Sequence, residues 1–81
     1  MKIMGLEMID WTACEVVERE PGLLGGAWVV KGTRISVDAI LANAGDGFAP
    51  YQLAMMFPGL REDDARRVIE YAKQAAHADS P

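Results

Sequence analysis

Gly26, Lys31, Gly32 and Thr33 come closest, of all residues in this chain, to a spacing with known phosphate chemistry. A P-loop needs a glycine, four residues, then Gly-Lys followed by Ser or Thr, so that backbone N–H groups cradle the phosphates and the lysine reaches them. Here Gly26 is followed by Ala27–Val30 and then Lys31-Gly32-Thr33, with lysine and glycine transposed. The intervening Trp28, Val29 and Val30 favour an extended strand, which cannot curl into an anion-binding nest. Residues 25–41 therefore read as architecture that joins a strand to a helix.

Other chemistry is as thinly supplied. Cys14 and His77 are the only cysteine and histidine and lie far apart in the chain, so neither zinc spacing nor a thiol–imidazole pair is present. Glu62-Asp63-Asp64 fall in the first turn of a predicted helix, where carboxylates stabilise the helix dipole. Ser36 is placed to cap another helix. No catalytic activity, cofactor, metal or small-molecule substrate is expected. Arg34 is the most versatile polar residue, because a guanidinium can satisfy several acceptors at once. It is expected to clamp the strand-to-helix junction on Glu15, Glu18 or Glu20, with contact to a ligand or partner as the alternative.

The elements that position these residues follow from periodicity. Residues 1–13 show no sustained period and read as a loose lead-in or a short turn. Glu15–Arg19 and Ala27–Lys31 read as two strands of an antiparallel hairpin, separated by Pro21-Gly22 and the Gly25-Gly26 pair. Val37, Ile40, Leu41 and Ala44 then fall at helical spacing behind Ser36, and Gly45-Asp46-Gly47 ends that helix. A short second helix starts at Pro50, where the missing N–H is harmless, and buries Leu53, Met56 and Phe57. After Pro58-Gly59, a third helix runs from about Glu62 to about His77 with Ala65, Val68, Ile69, Ala72 and Ala76 on one stripe. The chain is read as one mainly α domain, residues 1–81. A hairpin region (14–35) precedes a three-helix, helix-turn-helix core (36–78).

Composition sets limits on partners. The net charge is −4, whereas nucleic-acid binders usually carry excess Lys and Arg. On the third helix Arg61, Arg66, Arg67 and Lys73 are the candidate DNA contacts. Glu62–Arg66, Asp63–Arg67 and Arg66–Glu70 are spaced to pair with one another and blunt them. The longest uncharged run, Gly47–Leu60, is too short to span a bilayer and holds two prolines. Glu7 and Asp10 interrupt any leader-like apolar segment, so a cytoplasmic location is expected. A domain of this size is marginal alone. A homodimer is expected, built on a hairpin with apolar residues on both faces: Trp28 and Val30 opposite Val29, with Met55 as a further partner contact.

Several stretches then fall into a family pattern. "IDW" at 9–11, "EREPGLLGG" at 18–26, "VVKGTRISV" at 29–37, "FPGL" at 57–60 and "VIEYA" at 68–72 resemble the domain-of-unknown-function family numbered four-three-three. Its members are often described as VapB-type antitoxins. The glycine pair Gly25-Gly26 followed by Gly32-Thr33-Arg34 is the most specific element. The resemblance implies a homeodomain-like trihelical core behind a short hairpin, a PIN-like ribonuclease toxin as partner, and operator DNA bound through the helix-turn-helix. The chain departs from the pattern at Ala27-Trp28, where the family tends to lysine-proline. It departs again at Ala49 and Arg61, where the family tends to Ser or Thr at helix starts.

Overall fold

The computed structural model describes residues 9–22 and 24–78. The expectation for residues 1–8 lies outside the described residues. For residues 9–13 the short turn is the reading that forms. Asp10 accepts the backbone N–H of Thr12 at 3.0 Å and its hydroxyl at 2.6 Å, which starts a 3-10 turn over Trp11–Ala13. That turn drives Trp11 into the core, where it is 4% exposed and stacks on Tyr71 with ring centroids 5.0 Å apart. The Tyr71 hydroxyl donates to the Asp10 carbonyl, fixing both sides of the stack.

Two short strands follow, β1 (Val17–Arg19) and β2 (Trp28–Val30). They pair antiparallel, with Val17 opposite Val30, Glu18 opposite Val29 and Arg19 opposite Trp28. Each is shorter than the expected Glu15–Arg19 and Ala27–Lys31. The connector between them tightens into a 3-10 turn at Leu24–Gly26, whose backbone sits in the left-handed region at all three residues. Leu24 is there at φ 51° without glycine's freedom.

β2 is tied to the helices directly. The Val30 N–H donates to the Ile35 carbonyl at 2.9 Å, and Val29 bridges to Ser36. Ser36 then caps α1 (Val37–Gly45), its hydroxyl accepting the Ala39 N–H at 3.1 Å. α2 (Pro50–Met56) has Pro50 at its first position and no hydroxyl cap. Gln52 makes up part of the loss by accepting the Ala49 N–H at 2.8 Å. After a turn over 57–61, in which Gly59 adopts φ 95°, α3 (Glu62–Ala78) packs on both α1 and α2.

The core gathers residues from every layer: Trp11, Val17, Val30, Val37, Ile40, Leu53, Leu60, Ala65 and Val68 are buried together. The three-helix reading holds. Ala76 lies outside the residues whose side chains are described, and the other stripe positions hold with one exception. Met56 is 42% exposed, and Phe57 is half-buried in its place. Met56 follows Leu53 by three residues, but α2 is short enough that only one row of it meets α3.

Candidate functional site

The Lys31-Gly32-Thr33-Arg34 loop is built as a joint. The Thr33 hydroxyl donates to the Val30 carbonyl at 2.8 Å and accepts the Ile35 N–H at 3.0 Å. Gly32 takes φ 78°, which a side chain would resist, and donates its N–H to a Glu18 carboxylate oxygen at 3.1 Å. Glu18 is therefore spent on the loop backbone and not on Arg34. The expected Arg34 clamp does not form: Arg34 is exposed and has no ion pair among the described residues. Solvent, and not an acidic neighbour, surrounds its guanidinium.

The structure brings two signature stretches to one place. Lys31, Gly32 and Thr33 from the joint, with Gly59 and Arg61 from the α2–α3 turn, line a depression of about 370 Å³. Glu15 and Asp64 complete its wall. Lys31 and Arg61 are thus balanced by two carboxylates, one of which, Asp64, lies 3.6 Å from Arg61. Such a lining favours neither an anion nor a cation. Thr33 and Gly32 have already committed their polar groups, which agrees with a structural role for the motif.

On α3 the ion pairs follow helical spacing. Arg66 meets Glu62 at 2.8 Å and Asp63 at 3.4 Å, and Arg67 meets Asp63 at 3.3 Å. The expected Arg66–Glu70 pair is absent among the described residues, because Arg66 turns toward the N-terminal acids, where two carboxylates outcompete one. All these groups are about half exposed, so each pair is worth only tenths of a kcal/mol. Lys73 is exposed and carries no ion pair among the described residues. Of the candidate DNA residues, Arg66, Arg67 and Lys73 share α3 and Arg61 lies in the turn just before it, and the net charge over residues 61–67 is close to neutral.

The hairpin does not offer the contact surface that its sequence suggested. Val29 and Val30 are 0% and 1% exposed, so no partner reaches them while the chain is folded. Their assignment to an interface is corrected: Val30 enters the main core, and Val29, on the other face, is enclosed by the chain itself. Trp28 is half-buried under the Arg19 guanidinium, which sits 5.5 Å from its ring centroid. That contact covers one face of the Trp28 indole.

The apolar surface lies elsewhere, on α2 and the turn before it. Met55 is 79% exposed and Tyr51 is 56% exposed, with Phe48 and Met56 beside them. Tyr51 and Met55 fall one turn apart on the outward face of α2, and Phe48 precedes its first turn. Of these, Met55 was expected at an interface and Phe48 and Tyr51 were not. The signal was available: Leu53 takes the inward row, so residues 51 and 55 must face out.

Among the described residues, no group of three His, Cys, Asp or Glu side chains is arranged to hold a metal ion. Cys14 is buried. The Asp10 carboxyl is held below its ordinary pKa first by the Thr12 hydroxyl and then by the Thr12 N–H. No helix among the described residues is long and apolar enough to cross a membrane.

A hairpin joined through a glycine-threonine corner to three helices, with a tight turn before the last, defines a small helix-turn-helix-shaped domain. A family model described as "Protein of unknown function (DUF433)" matches residues 17–72, and the chain belongs to that family. It is similar to a solved structure of a DUF433 member protein from Anabaena variabilis, with 27% sequence identity and a TM-score of 0.63. That likeness covers 78% of this chain and 62% of the other, so this chain spans less than two thirds of that relative's length. No curated protein matches it.

Proposed function

We propose that this protein works by binding another protein, as the antitoxin of a VapB-type toxin–antitoxin pair whose partner is a PIN-like ribonuclease. The observation that carries this reading is the outward stripe of Phe48, Tyr51, Met55 and Met56 within the charge-free stretch Gly47–Leu60. Contiguous exposed aromatic and methionine side chains are characteristic of interface cores, and methionine adapts its shape to a partner. The net charge of −4 complements the cationic surface that an RNA-cleaving enzyme presents to its substrate. Seated there, the antitoxin would deny RNA its path. Co-expression with the product of the adjacent gene tests this. The two proteins should purify together at moderate salt, and Tyr51→Glu with Met55→Glu should release the partner without changing the melt. Separate elution of the unmodified pair would sink the reading.

Operator binding is the second reading, favoured by the α2–turn–α3 arrangement and by Arg66 and Arg67 on the exposed face of α3. Freeing these arginines from exposed pairs costs about 0.2–1 kcal/mol each, which base or phosphate contacts readily offset. Few uncompensated cations remain to release counterions, so a homodimer joining two half-sites is required. The salt slope should be shallow. Titration of the upstream promoter region at low salt, with and without the partner, tests this, and no shift in either case excludes it.

A further inference from the structure

We propose that the cleft between the hairpin and the start of α1 binds a free amino acid with a large apolar side chain, its carboxylate on Arg19 and its ammonium on Asp38. The floor of the cleft is the open end of the core. Val17 and Arg19 share one face of β1, opposite Val30 and Trp28 on β2. Val17 and Val30 are buried, whereas Trp28 is half-buried and Arg19 is exposed. At that end Ile9, Trp11, Trp28 and Val37 line a cavity of about 390 Å³, with Arg19 and Asp38 as its charged lining residues.

An apolar, aromatic lining with a few placed polar groups is the composition of small-molecule sites, and this volume lies near the small end of their range of about 300–1,000 Å³. The charges choose the ligand. Neither Arg19 nor Asp38 has an ion pair among the described residues, with each other or with a third group. The depression beside Lys31 differs, because its Arg61 and Asp64 already meet at 3.6 Å. Glu18, the neighbour of Arg19, points to the opposite face of the hairpin and accepts the Gly32 N–H. Held 5.5 Å from the Trp28 ring centroid, the Arg19 guanidinium is positioned in advance, with its N–H edge available to a carboxylate. Asp38, in the first turn of α1, offers an acceptor to an ammonium group. A simple anion would be repelled by Asp38 and a simple cation by Arg19. A molecule with both charges and an apolar body satisfies the cleft, and the indole rings suit an aromatic or branched side chain. The cleft shares no lining residue with the α2 stripe, so the proposal stands or falls independently of the antitoxin reading.

The test is titration of the isotope-labelled full chain with L-phenylalanine, with 3-phenylpropanoate, which lacks the ammonium, and with phenethylamine, which lacks the carboxylate. Phenylalanine should move the Trp28 indole N–H and the Val37 and Asp38 amides, and should bind about tenfold more tightly than either analogue. Arg19→Ala should weaken phenylalanine and phenylpropanoate by about tenfold and leave phenethylamine unchanged. Asp38→Asn should weaken phenylalanine and phenethylamine and leave phenylpropanoate unchanged. No shift with phenylalanine at millimolar concentration overturns the proposal. Equal affinity for the three ligands also overturns it, because the cleft would then be an apolar surface without charge selection. Binding of N-acetylphenylalanine as tight as that of phenylalanine overturns the assignment of Asp38 and of a free amino acid. If either variant fails to fold, the order of the ligands on the parent protein decides.

Discussion

Trp11 and Arg34 exchange the importance their positions in the sequence suggest. Trp11 sits in a stretch without periodicity, yet it is enclosed and stacked on Tyr71. Trp11→Ala should cost about 3–5 kcal/mol, the range for deleting a buried aromatic, and thermal melting would register it as a large part of a small domain's stability. Arg34 has the more suggestive neighbourhood but touches solvent. Arg34→Ala should melt within about 0.5 kcal/mol of the parent, as ordinary surface substitutions do. A large loss would restore the clamp. Gly32→Ala lies between these cases: its left-handed backbone, at φ 78°, should cost about 1–2 kcal/mol in denaturant titrations even though the space around it is open. Asp10 adds a pH signature. Because its folded pKa is lowered, its contribution is present above the ordinary carboxylate range and disappears as the pH falls through the folded value. Asp10→Asn should flatten that acid limb of the stability profile.

The elements were largely legible, because each is punctuated by residues with a local mechanism. Ser36 caps α1, Pro50 opens α2, and Gly59 turns the chain into α3; none of these needs tertiary context. The hairpin and three helices could be read for that reason. The misreadings arose where burial is set by neighbours distant in sequence. Val29 and Val30 alternate as a half-exposed strand would, but the chain covers both faces of β2. Met56 is apolar and correctly spaced, but α2 has only one inward row. A short turn ahead of the hairpin could be read, but the burial of Trp11 is legible only once Tyr71, brought round by α3, supplies its partner. At the candidate site, Met55 and the arginines of α3 could be named from sequence, whereas the outward turn of Phe48 and Tyr51 became clear with the position of Leu53. One consequence is testable on α3. Arg66→Glu with Arg67→Glu replaces favourable i,i+4 pairs by repulsive ones, so the helix should lose about 1–2 kcal/mol in total, read from the far-UV melt. The loss should shrink in high salt.

For the whole molecule, enclosure of the hairpin changes what an oligomerisation mutant reports. Val29→Lys places an unpaired charge in a fully enclosed position and should unfold the chain instead of reporting on a dimer. Sedimentation equilibrium on Met55→Glu is the appropriate probe, since that side chain is 79% exposed and its replacement leaves the core intact.

The Trp11–Tyr71 stack also has a kinetic meaning. It closes a loop across most of the described chain, and such a closure comes at an entropic cost that grows with the number of residues enclosed. The helices and hairpin can form from near neighbours before it does. The stack is thus placed to form after the folding barrier and to open before the helices melt. Trp11→Phe should leave the refolding rate almost unchanged and speed unfolding, the behaviour of a contact absent from the transition state. In stopped-flow experiments, quenching from the Trp11 environment should lead the loss of helical signal.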